Sequence, residues 1–133
     1  MLAIIPLTII PFIFYNIVSS GILGGVALFA NPLISLQMMS GAEWSMTVGD
    51  LIIVGALLML FFEILKATRR TASSVTDHMM SMLVFVAYLV EFLLVGSAAT
   101  QVFFILTVIA FIDVAAGFSI SIRGASRDVS IGL

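Results

Sequence analysis

No cysteine occurs among the 133 residues of this chain, and His78 is its single histidine. Disulfides, thiolate nucleophiles and sulfur metal ligands are thereby excluded. A lone histidine also excludes a multi-histidine metal or haem centre within one chain. Charge is scarce: 9% of residues are charged, against about one-quarter in an average soluble domain. The first 42 residues carry no charged side chain at all. Five basic residues, with no aromatic stripe among them, do not make a phosphate-tracking surface, so nucleic acid is not an expected partner. No nucleophile–base pair and no metal-ligand spacing stands out. An enzyme is therefore not expected, and neither a cofactor nor a metal is called for.

What remains is hydrocarbon. Apolar residues make up 62% of the chain and its mean hydropathy is +1.32. A water-soluble fold so poor in charge has too little polar surface to cover itself. Lipid is the solvent such a composition requires. Eleven Phe and eight Met suit the irregular gaps between apolar helices.

A bilayer core of about 30 Å takes about 20 helical residues to cross. Four stretches reach that length: residues 2–30, 50–68, 78–96 and 100–122. Helices are expected throughout, because each satisfies its own backbone hydrogen bonds away from water. The first stretch lacks the positive flank and short apolar core of a cleaved signal, so it reads as a retained membrane helix. Pro6 and Pro11 fall in its opening turns, and Gly24-Gly25 is a place where it could break. Thr47-Val-Gly-Asp50 and Ser74-Val-Thr-Asp77 match the capping box that starts a helix. Asn31-Pro32 suggests a further helix start, giving a short interfacial helix from Pro32 to Ser40 that ends at Gly41, with Trp44 as an anchor after it.

The basic residues orient the chain. Lys66, Arg69 and Arg70 follow the second span, and Arg123 and Arg127 follow the fourth. The intervening segments on the opposite side hold no Lys or Arg, which under the positive-inside rule puts both clusters in the cytoplasm. The expected fold is an all-α, four-transmembrane-helix bundle, a single integral membrane domain over residues 1–133 of the cell inner membrane, with both termini cytoplasmic. The basic clusters are also candidates for contact with lipid headgroups.

Acids inside the spans are the costly positions. At 1.5 Å per residue, Glu63, Asp113 and Glu91 lie roughly 7, 14 and 20 Å above the cytoplasmic boundary. An Asp at bilayer depth costs about 2.5–3.5 kcal/mol even on a lenient scale. Ala110, Gly117 and Ser121 share a helical face with Asp113, and Gly55, Ala56, Met59 and Lys66 share one with Glu63. Tyr88 stands one turn from Glu91 and is a candidate hydrogen-bond donor to it. In the first stretch Asn16, Ser20 and Gly24 form a polar and small stripe, beside Gly21-x-x-x-Gly25, a G-x-x-x-G packing element.

Two interpretations of the acids arise. In one, Asp113, Glu91 and Glu63, with Tyr88 and Asn16, form rungs of a proton or cation path. In the other they are interhelical polar contacts, with Glu63 paired to Lys66. His78, at the mouth of the third span, is expected to be solvated. Phe61-Phe62 and Phe103-Phe104 are expected at the lipid surface or in the core. The functional expectation is a non-catalytic subunit or assembly partner of a membrane complex, with the lipid bilayer and a second copy or another membrane protein as partners. The alternative is an oligomeric proton or cation channel or transporter component.

Overall fold

The computed structural model describes residues 5–69 and 75–131, with side chains for 5–69 and 76–123. Arg70 and Ser74 lie outside the described residues, as does the side chain of Arg127.

The first apolar stretch does not form one long helix. Its helical part is α1, Ile9–Ser19, 11 residues or about 16 Å long. Backbone geometry ends it: Gly21, Gly24 and Gly25 take φ of +95°, +126° and +79°, a region that side chains with a Cβ rarely enter. Pro11 does not break α1, because it falls in the first turn, where its missing N–H has no partner to lose. After the glycines the chain makes a 3-10 turn over Val26–Ala30.

An antiparallel hairpin occupies the place expected for an interfacial helix. Its strands are β1, Pro32–Gln37, and β2, Glu43–Thr47. Asn31 is extended (φ −73°, ψ 129°) and ends the 3-10 turn instead of capping a helix, as the residue before a proline tends to do. The Ser40-Gly41 pair is a tight connection. The Gly41 amide donates to the Met38 carbonyl (2.9 Å) and the Met38 amide to Ala42 (2.7 Å), with Gly41 at φ +89°. A type I turn closed by a left-handed glycine is a common hairpin device.

Among the described residues, three helices are long and apolar enough to cross a membrane: α2, Val48–Arg69; α3, Val75–Leu94; and α4, Gln101–Ile131. The Thr47–Asp50 capping box forms as expected: the Asp50 amide donates to Thr47 Oγ1 and the Thr47 amide to Asp50 Oδ2, both at 3.1 Å. Thr100 starts α4 in the same way, accepting from the Phe103 amide at 3.2 Å. Helix α4 lies centrally, packed on α2 and α3, and α1 fills the groove they leave. The core is aromatic where α1 enters: Phe12 meets Tyr88 edge-on (4.9 Å), and Tyr15 stacks on Phe29 (4.5 Å) and lies 4.8 Å from Phe103. Most other large apolar side chains, including Phe61, Phe62 and Phe104, point outward.

Candidate functional site

The three long helices converge on two residues ahead of α1. Leu7 precedes the N-cap Thr8, so its N–H lies outside the hydrogen-bonded ladder of α1 and needs a partner elsewhere. Here the Leu7 amide donates to Glu63 Oε1 of α2 at 2.8 Å. A carboxylate at that end also meets the positive pole of the helix dipole. The same oxygen pairs with Lys66 Nζ at 2.8 Å, and Lys66 also donates to the Ile5 carbonyl at 3.5 Å. Lys66 thus links α2 to the segment ahead of α1 while keeping part of its side chain exposed. Arg69 and Arg123, from the same two basic clusters, are exposed.

Thr8 takes the other two helices. Its hydroxyl donates to Asp113 Oδ2 of α4 at 3.4 Å, and its carbonyl accepts from the Tyr88 phenol of α3 at 2.7 Å. Thr8, Glu63, Tyr88 and Asp113 are all buried. Tyr88 does not bond to Glu91 as its spacing suggests, because its ring turns inward across Phe103 (5.4 Å) toward α1.

A second polar layer lies seven and eight residues beyond Thr8, at Tyr15 and Asn16, about 10–12 Å up α1. Asn16 Nδ2 donates to Glu91 Oε2 at 3.1 Å and to the Phe12 carbonyl at 2.9 Å. Beside it the Tyr15 phenol donates to the Ser97 carbonyl at 2.8 Å and lies 2.7 Å from Thr100 Oγ1. Each of the three acids is therefore bonded to the α1 segment. Glu63 and Asp113 meet one end of it and Glu91 the other. Phe12, which lies between Thr8 and Asn16 on α1, packs its ring against Tyr88 and Phe103.

The small residues divide. Ala110, one turn before Asp113, is buried in the core as a packing residue. A Cβ on Gly117 would come within 3.4 Å of His78 Nδ1. That close fit seats His78 against α4, where its ring stacks on Phe118 (4.9 Å) and Nε2 bonds to Ser121 Oγ. His78 is accordingly half-buried, with its ring packed against α4. Gly21 and Gly25 make no packing face. Both lie outside α1, and an added Cβ would meet nothing within 4 Å at either. The close-approach glycine is Gly49, where a Cβ would fall 2.7 Å from Val102 Cγ2.

Sequence alone does not single out Thr8, Tyr15 or Thr100 as contact residues. Thr8 carries one signal, a hydroxyl within an apolar run flanked by prolines. Among the described residues no group of three or more His, Asp or Glu is placed to hold a metal ion. No protein-family model matches the chain, and comparisons with curated proteins and with solved structures find no match.

Proposed function

We propose that this chain is a non-catalytic, multi-pass protein of the cell inner membrane that serves as an assembly component, joining a second copy or another membrane protein. The observation that carries this reading is the use made of the three acids. Glu63, Asp113 and Glu91 are the residues best suited to chemistry or conduction, and each is committed to fastening α1. A polar side chain that hydrogen-bonds across a helix interface holds membrane helices together. Helix α3 buries the least of the three long helices, and Met79 and Met82 are exposed along it. Adaptable methionines on an uncovered helix suit a protein partner.

The topology belongs to the same proposal. Residues 5–19 make the first of four crossings, although α1 alone is short. Two contacts support it: Ile5 lies level with Lys66, near the basic end of α2, and Tyr15 lies level with the Ser97–Thr100 connection. In this proposal the segment reaches from the level of Lys66 to that of the Ser97–Thr100 connection, with both ends of the chain on the cytoplasmic side and the hairpin on the other.

Purification from native membranes in mild detergent tests the function. The expected result is a complex of defined mass whose other members fail to assemble when the gene is deleted. Proton or cation flux in liposomes of the purified protein, abolished by Asp113→Asn with folding intact, would replace this reading with transport.

A further inference from the structure

The hairpin is two-faced. Its register sets Ile34 opposite Met46 and Leu36 opposite Trp44, so these four apolar side chains share one face. Ser35 opposite Ser45 and Gln37 opposite Glu43 form the other. Ile34, Leu36 and Trp44 are each more than 40% exposed, and neither strand holds a buried residue. Two strands alone are marginal in water, and a hairpin gains stability when its apolar face finds a second layer.

We infer that the layer is lipid: the apolar face of residues 32–47 rests on the acyl-chain boundary of the leaflet where α2 begins. This goes beyond the proposed function and rests on its membrane assignment. Three features select lipid over a protein occupant. The hairpin runs into α2 without a linker, Thr47 to Val48, and the Val48 amide is tied back to the Asn31 carbonyl at 3.0 Å. Its apolar face is therefore continuous with the apolar exterior of a helix long enough to span a bilayer. Among the described residues no further strand pairs with the two outer edges, so their backbone groups must stay hydrated, which limits the hairpin to the interface and forbids deeper entry. Trp44 lies on the apolar face, with Glu43 on the other, and tryptophan favours that depth.

Trp44 is the chain's single tryptophan, so its fluorescence reports on this face alone. The full-length protein is reconstituted into phosphatidylcholine vesicles, with or without a lipid spin-labelled near the headgroup end of its chain. Iodide serves as the aqueous quencher. The expected result is loss of most of the Trp44 emission to the spin-labelled lipid and little to iodide. The double variant W44F/S45W moves the sole indole to the polar face and should reverse that order. Strong iodide quenching of Trp44 would overturn the inference. So would shielding from both quenchers, which would mean that a second copy or another protein covers the face. A chain washed off the vesicles would instead refute the membrane assignment itself.

Discussion

Glu63 Oε1 accepts from the Leu7 amide at 2.8 Å, so a side chain of α2 satisfies the backbone just ahead of α1. In water this N–H would find a solvent partner. In a hydrocarbon surrounding it has none, and an unsatisfied group there is costly. Glu63→Ala is expected to lower stability by about 1–3 kcal/mol, and Glu63→Gln, which keeps an acceptor oxygen and loses the Lys66 ion pair, by less. Unfolding titrations in detergent micelles check the order. Equal losses would mean that the charge pair, and not the bond to the Leu7 amide, is what matters.

The pairing of Glu63 with Lys66 and the Thr47–Asp50 box are legible in the sequence because both are local, set by the three-residue spacing of a helix turn. The docking of α1 is not. Leu7 and Glu63 are 56 residues apart and Thr8 and Asp113 are 105 apart, and no local periodicity encodes such pairs. The hairpin is hidden for a different reason. Glu43-Trp-Ser-Met-Thr47 does alternate polar and apolar, but a bulge between Pro32 and Ile34 puts Leu33 and Ile34 side by side and masks the period in β1. The glycine spacing in the first stretch mimics a packing motif, whereas its use is conformational, ending a helix.

Three helical glycines should respond to alanine in a graded order. At Gly55 an added Cβ meets nothing within 4 Å, so Gly55→Ala should be neutral or stabilising by up to about 1 kcal/mol through helix propensity. At Gly117 it would meet His78 Nδ1 at 3.4 Å, giving a small loss as the ring shifts on Phe118. At Gly49 it would meet Val102 Cγ2 at 2.7 Å and the Phe29 carbonyl at 3.1 Å, so Gly49→Ala should cost the most, about 1–3 kcal/mol as an overpacked core. Melting temperatures of the three purified variants give the ranking.

Asn16 and Glu91 should be energetically coupled. A double-mutant cycle with Asn16→Ala and Glu91→Ala is expected to give a coupling of about 0.6 kcal/mol and no more than about 2, the range for polar contacts between membrane helices. Additive effects would show that their 3.1 Å contact contributes nothing.

At Thr8, replacement by valine keeps the shape and the carbonyl that accepts from the Tyr88 phenol, and removes only the hydroxyl that donates to Asp113. Thr8→Val should therefore cost at least as much as Tyr88→Phe, because it takes the hydroxyl donor from the buried Asp113 carboxyl, whereas the Thr8 carbonyl keeps its helical partner in α1 when the phenol is lost. Unfolding free energies of the two variants, taken in one detergent, settle the comparison.

Water access at position 113 is the most direct test of whether the acids fasten α1 or line a path. The chain has no native cysteine, so Asp113→Cys gives a single thiol without background, and Arg123→Cys, at an exposed site, serves as the reactive control. In intact membranes a small permeant maleimide should label position 123 readily and leave position 113 unmodified until the protein is denatured. Comparable labelling of both thiols in the folded protein would contradict a purely structural role for Asp113.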